Sequence, residues 1–364
     1  MSKIVLGYYT GWSEYNTPPF RIYDILNPTG LTHLLYAFIS PTTTGALALL
    51  DPWADIQKPH TLHGDTSPLQ KSYLGGNLHQ LFRIKKNNRT IKTGISIGGY
   101  NNSTNFSSIC ASSTKRTTMA NSIKTFVMNY GLDFIDIDWE YPAISDSVNF
   151  KLLLQKIKSV NPTIKIMVSF GANWATQIDI TQIHPYVDYI QFMGVDFVGS
   201  TWGSTTGAHQ NLYPQVTGET NSNTCLFGLI NSGVPSDKLI LECPMYARPS
   251  GQVSVVGNEI AYNKLQPYES LNNVTNTFRV SQETLDSNGV LLTYDSVNTI
   301  TTKTNYINSQ NLKGISFWEL SSDRTNVSES LMNTATNLLS KDISLNNLTY
   351  PTSIYTNIKN PNLA

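Results

Sequence analysis

Eight short apolar runs recur along this chain, each bounded by turn residues. They are Ile4–Tyr9, His33–Ile39, Ile91–Ile97, Phe134–Ile137, Ile164–Phe170, Val187–Met193, Leu239–Met245 and Gly314–Trp318. They show little polar alternation, which is the pattern of strands buried on both faces of a parallel sheet. Helical patterns lie between several of them. Gly76-Asn77 leads into Leu78, Leu81, Phe82 and Ile84, and others cover Met119–Met128 and Phe150–Ile157. Eight strands alternating with helices predict an α/β fold, a (β/α)8 TIM barrel, whose functional residues sit at the C-terminal strand ends.

Two connections are longer than such a barrel needs. Residues 40–75, after the second strand, are rich in Pro, Thr, Asp and Gly. Residues 249–290, after the seventh, read as a short α+β insertion with strands of its own at Val253–Val256 and Thr277–Val280. Both start at a C-terminal strand end and are placed to wall a cleft. The expected organisation is one barrel domain over 1–340, including the 249–290 insertion. An Asn/Thr/Pro-rich tail follows over 341–364, draped on the surface or disordered.

Composition excludes several classes of function. The 364 residues carry 25 Lys+Arg against 25 Asp+Glu, with 14% charged and 40% hydrophobic residues. Nucleic acid and other polyanions need clustered basic residues. The densest run here, Lys85-Lys86 to Arg89 and Lys92, is short and reads as a solvated helix end. No apolar stretch reaches the roughly 18 residues of a membrane span. Cys110, Cys225 and Cys243 form no C-x-x-C pair and allow at most one internal disulfide. H-E-x-x-H, phosphate-cradling glycine and G-x-S-x-G patterns are also absent, so neither a metal nor a cofactor is expected. A surface of Ser, Thr and Asn in place of ions suits an extracellular, monomeric protein. No secretion signal is visible after Met1, and N-x-S/T triplets at Asn88, Asn101, Asn102, Asn105, Asn273, Asn326 and Asn347 permit glycosylation.

The sharpest chemical feature is Asp133-Phe134-Ile135-Asp136-Ile137-Asp138-Trp139-Glu140. Alternate side chains of a strand share a face, so Asp136, Asp138 and Glu140 project to one side. Ile135, Ile137 and Trp139 then face the covering helices. Like charges a few ångströms apart cannot all ionise, and at least one carboxyl must hold its proton toward neutral pH. A protonated carboxyl is what donation to a glycosidic oxygen requires. Glu140, nearest the strand's C-terminal end, is placed to meet a ligand.

Asp133-x-x-Asp136-x-Asp138-x-Glu140 resembles the D-x-x-D-x-D-x-E signature of family 18 glycoside hydrolases, the chitinases. Gly94-Ile95-Ser96-Ile97-Gly98-Gly99 is similar to the family's third strand, and Gln191-Phe192-Met193-Gly194-Val195-Asp196-Phe197 to its sixth. Pro244-Met245-Tyr246-Ala247-Arg248 and Gly314–Leu320 resemble the seventh and eighth. Asp51–Asp55 and Gly207–Tyr213 look most like the fungal, bacterial-type class V branch. The resemblance implies a retaining, substrate-assisted hydrolysis of β-1,4 linkages in chitin or chito-oligosaccharides, one of the exceptions to the two-carboxylate scheme. In that reading Glu140 protonates the leaving oxygen, Asp138 orients the substrate's acetamide and Asp136 shares a proton with Asp138. Tyr8 and Ser96 hydrogen-bond the acids. The resemblance assigns sugar contacts to Phe38, Gly98, Gly99, Tyr100, Trp139, Met193, Asp196, Phe197, Tyr246, Arg248 and Trp318. A flat indole such as Trp318 also suits the apolar face of a pyranose on physical grounds.

Five departures stand out. Val195 replaces the Tyr that, in the family, donates to the attacking acetamide, and losing one such donor costs on the order of 10²–10³ in rate. Phe134, Ala247 and Glu242 stand where Gly is usual, and Tyr100 where Trp is usual. With all three acids present the expectation is an enzyme slowed by Val195. The alternative is a chitinase-like lectin that binds chitin without cleaving it.

Overall fold

A computed structural model of the chain describes residues 1–59, 72–198, 207–250, 259–270, 272–286 and 288–363. The eight strands form where the apolar runs predict them: Ile4–Thr10, His33–Pro41, Lys92–Gly98, Phe134–Asp138, Lys165–Phe170, Tyr189–Met193, Leu239–Pro244 and Gly314–Trp318. They follow one another around a parallel sheet, and pairing of the first strand with both the eighth and the second closes the barrel. The register places Ser96 beside Asp136 and Gly98 beside Asp138. A ninth strand, Leu47–Leu49, runs antiparallel to the second.

The helices extend beyond their apolar cores because capping, rather than periodicity, sets their ends. The one predicted at Met119–Met128 runs Ser113–Tyr130. Ser112 Oγ accepts the Lys115 N–H at its start, and Gly131 takes a left-handed φ of 70° at its end. The helix predicted at Phe150–Ile157 runs Ser147–Val160, and the one opening at Gly76 runs to Asn87.

By its internal contacts the chain divides into two compact units. The larger comprises Tyr8–Ser169, Trp174–Ile190 and Ile343–Ala364. The chain after Ile343, read from sequence as a draped or disordered tail, is tied down in this unit by specific bonds. Asn346 Nδ2 donates to the Lys85 and Ile91 carbonyls, each at 2.7 Å. Lys85 Nζ is buried between Asp133 Oδ2 at 2.7 Å and the Tyr350 hydroxyl at 2.9 Å. Ser353 Oγ donates to the Asn129 carbonyl at 2.8 Å. These bonds satisfy backbone groups that a helix end would otherwise bury unpaired. The basic run read as a solvated helix end is thus partly internal: Lys85 is buried.

The second unit comprises Met1–Gly7, Phe170–Asn173 and Gln191–Asp342. It carries a five-stranded antiparallel sheet in the order Ile260–Ala261, Tyr246–Pro249, Leu291–Tyr294, Ser281–Leu285 and Val274–Asn276. The insertion therefore recruits flanking chain on both sides of 249–290. The strand expected at Thr277–Val280 is instead a turn, because the Asn276 side chain accepts the Arg279 N–H at 3.1 Å and closes the chain on itself. The strand expected at Val253–Val256 lies outside the described residues. All three cysteines are free thiols. Among the described residues no helix is long and apolar enough to cross a membrane.

Candidate active site

The acid row occupies the C-terminal half of the fourth strand, inside the larger unit. Asp136 is fully buried. Its carboxylate accepts hydrogen bonds from Ser96 Oγ at 2.7 Å and Ser169 Oγ at 3.0 Å, and a third from Tyr8. Burial pushes its carboxyl up to about 7, with the charge of Glu140 acting in the same direction and the three hydroxyls opposing it. Desolvation is the largest influence on the group, ahead of the three hydroxyl bonds that oppose it. One acid of the row is thus held neutral close to physiological pH, as the spacing requires.

The row's outer end is shaped by glycines and a serine. Gly98 sits at φ +113°, and a Cβ there would come within 2.2 Å of the Asp138 carbonyl oxygen. Gly99, at φ +80°, would drive a Cβ to 2.6 Å from the Phe38 ring. Both positions combine a conformation that side chains rarely adopt with a close approach. Ser103 fastens the turn beyond them: its Oγ donates to the Gly99 carbonyl at 2.9 Å and accepts the Glu140 N–H at 2.9 Å. Glu140 itself is half-buried, one residue past the buried Trp139.

Several side chains assigned to sugar contact lie elsewhere. Trp139 is 4% exposed, and its ring packs on Phe106 at 5.3 Å and Phe150 at 5.4 Å. It is a core residue, on the strand face that period-2 alternation turns toward the helices. Phe197 is 3% exposed beside Phe192 and is likewise part of the packing. Tyr8 and Ser96 are buried, and their hydroxyls bond Asp136. Phe38 is half-buried, and Tyr100 is 76% exposed. Trp12, which the sequence reading missed, lies with its ring 6.1 Å from that of Phe38 and is half exposed. Its only signal was an aromatic residue just past the end of a strand.

A second polar cluster lies in the other unit, around Asp196. Tyr246 donates its hydroxyl to Asp196 Oδ1 at 2.7 Å. Arg248 grips both oxygens, Nε to Oδ1 at 2.5 Å and Nη2 to Oδ2 at 2.9 Å, and reaches Glu259 at 2.6 Å. Burial alone would raise the Asp196 carboxyl, but the nearby His209 ring, the Arg248 bonds and the guanidinium charge outweigh it and hold it far below the usual carboxylate range. Burial and the neighbouring carboxylate push the Tyr246 hydroxyl well above its ordinary value. Met193 and Trp318 are half-buried at the ends of their strands. Deeper in, Gln191 Nε2 donates to Glu242 Oε2 at 2.5 Å, so the carboxylate that stands in place of glycine has a polar partner. Among the described residues no group of three or more His, Cys, Asp or Glu is placed to hold a metal ion.

A closed parallel (β/α)8 barrel with a row of carboxyls running out of its fourth strand is the architecture of a barrel glycoside hydrolase. The comparisons with known proteins make the assignment specific. Residues 4–323 match glycosyl hydrolases family 18, and the chain belongs to that family. It is 32% identical to chitinase 1 of Aphanocladium album, the match covering 97% of this chain and 89% of the relative. Endochitinase 1 of Metarhizium robertsii is 30% identical with the same coverage. Among solved structures, chitinase ChiA74 from Bacillus thuringiensis superposes with a TM-score of 0.82 at 25% identity, over 96% of this chain and 71% of that one. The group IV chitinase of Ostrinia furnacalis in complex with allosamidin gives 0.79 at 26% identity, over 92% and 98%.

Proposed function

We propose that this chitinase-type glycoside hydrolase cleaves β-1,4-linked N-acetylglucosamine in chitin or chito-oligosaccharides, with retention and with the substrate's acetamide as nucleophile. The observation that carries the reading is the buried Asp136, bonded by Ser96 and Ser169, at the base of an acid row that ends in half-buried Glu140. Glu140 gives its proton to the leaving oxygen and then takes one from water. Asp138 orients the acetamide and balances the developing positive charge. Asp136, able to exchange a proton with Asp138, lets that balance change during the cycle. Asp196, Tyr246 and Arg248 receive the N-acetyl sugar, and Met193 and Trp318 supply apolar contact to its ring. Phe38 and Tyr100 offer aromatic sugar contacts in the unit that holds the acid row.

Product analysis with chitotetraose tests the reading. The wild-type protein is expected to release shorter oligosaccharides of retained anomeric form. Glu140→Gln is expected to bind the tetramer without cleaving it, and continued hydrolysis would remove Glu140 from the acid role. The chitin-binding lectin alternative is disfavoured by the intact acid row and the named relatives. We further infer an extracellular, monomeric glycoprotein, supported by the uncharged polar surface and by exposed acceptor sequences at Asn101, Asn326 and Asn347. Light scattering on secreted protein and its mass before and after glycan removal check both points.

A further inference from the structure

The Asp196 cluster contains one buried group to which the roles above give no task. His209 is fully buried, with its ring centroid 5.1 Å from that of Tyr246. Its Nδ1 lies 3.5 Å from Asp196 Oδ1, the oxygen that also receives Tyr246 and Arg248 Nε. Its backbone is tied at both ends: the carbonyl accepts the Phe197 N–H at 3.0 Å, and the N–H donates to Thr293 Oγ1 at 3.3 Å. His209 therefore meets Asp196 through its side chain and the next residue, Phe197, through its backbone.

Asp196 needs such support. Its φ of 58° is left-handed, a conformation that leaves a non-glycine residue dependent on its surroundings. Tyr246 and Arg248 come from one strand of the insertion sheet, whereas His209 comes from the chain that follows Asp196 itself. Among the described residues, Arg248 and Asp295 also bear on the ring, the latter paired with Lys303 at 2.6 Å. Burial keeps the imidazole neutral, although Asp196 pulls the other way. Among the described residues neither ring nitrogen has a hydrogen-bond partner, and Nδ1 stands 3.5 Å from Asp196 Oδ1, so a neutral ring that closes this gap would donate to the carboxylate without adding a second buried charge beside Arg248.

We propose that His209 is a positioning residue that holds the Asp196 carboxylate, and through it the Tyr246 hydroxyl, in the orientation needed to receive the N-acetyl sugar. This rests on the reading in which Asp196 and Tyr246 meet the substrate. His209 touches no substrate itself; it fixes the direction in which Asp196 accepts and Tyr246 points. Misplacing such a pair acts on the transition state more than on ground-state binding.

The test uses chitotetraose hydrolysis with kcat and KM determined separately. Wild-type protein that fails to cleave the tetramer sinks the functional reading before any variant is made. Given cleavage, His209→Phe, which keeps a ring and removes the donor, is expected to lower kcat about 10–100-fold with KM changed less than about 3-fold. His209→Asn, which restores an N–H donor near the Nδ1 position, is expected to recover kcat to within about 3-fold of wild type. Equal kcat in the Phe variant and wild type overturns the proposal. So does an equal loss in both variants, since the donor would then not be the reason. If the Phe variant does not fold, the Asn variant decides alone: kcat within about 3-fold supports the role, and a loss beyond about 10-fold overturns it.

Discussion

Ser96 donates its hydroxyl to Asp136 Oδ2 across 2.7 Å, between two side chains that neighbouring parallel strands bring into register. The bond stabilises the charged form of Asp136, yet burial outweighs it and the carboxyl keeps its proton to about pH 7. A hydroxyl can serve either state, accepting from a neutral acid or donating to a carboxylate, which makes it a fitting neighbour for a group that exchanges protons.

That balance has a sign that can be checked. A buried Asp raised from 3.8 to about 7 contributes its full stability below the unfolded value. The contribution is lost as pH rises through the folded value, because ionising Asp136 inside the barrel is unfavourable. Unfolding free energy from urea titrations is expected to decline between about pH 4 and 7, by on the order of 1 kcal/mol per pH unit from this group. Asp136→Asn is expected to flatten that slope. An identical slope in the variant would show that Asp136 titrates normally.

Val195 is half-buried where the family resemblance expects a tyrosine. Replacing it by Tyr is expected to raise kcat on chitotetraose about 10–100-fold, consistent with the worth of one donor to the attacking carbonyl. An unchanged kcat would place the limiting step elsewhere, for example in product release.

Gly98→Ala should damage the acid row without touching an acid. The added Cβ meets the Asp138 carbonyl at 2.2 Å on a backbone already at φ +113°. The expected result is a loss of about 1–3 kcal/mol in stability, with kcat falling more than about 10-fold as Asp138 is displaced. Normal turnover in a destabilised variant would separate Asp138's position from the chemistry.

Lys85→Met tests how the C-terminal segment is held. Lys85 is buried, bonded to Asp133 and Tyr350, and burial lowers its ammonium to about 8. Removing one partner of a buried pair is expected to cost about 3–5 kcal/mol, seen as a lower urea midpoint. Adding Asp133→Asn should recover part of the loss, since no unpaired carboxylate then remains.

The barrel was legible because its signal is local. Apolar runs such as Phe134–Ile137 and Leu239–Met245 mark strands without reference to any distant residue, and period-2 alternation alone puts Asp136 and Asp138 on one face. The same alternation turns Trp139 toward Phe106 and Phe150, and the structure packs the indole against both rings. Phe197, whose type suits a sugar platform, is likewise packed in the core, beside Phe192. Ser169, Ser103 and His209 carried no local signal. Only the segment Gly207–Tyr213 around His209 stood out, as a branch resemblance without a role.

The covalent order of residues therefore determined the strand count, the parallel barrel and the spacing of Asp136, Asp138 and Glu140. Those follow from backbone periodicity and side-chain polarity within short windows. Tertiary structure alone decided which acid stays neutral, which aromatics remain exposed, and that His209 faces Asp196. Desolvation and hydrogen bonding depend on groups far apart in sequence, such as Ser96 and Asp136, separated by 40 residues. Their energies are set by burial and by distances of a few ångströms, which no local pattern encodes.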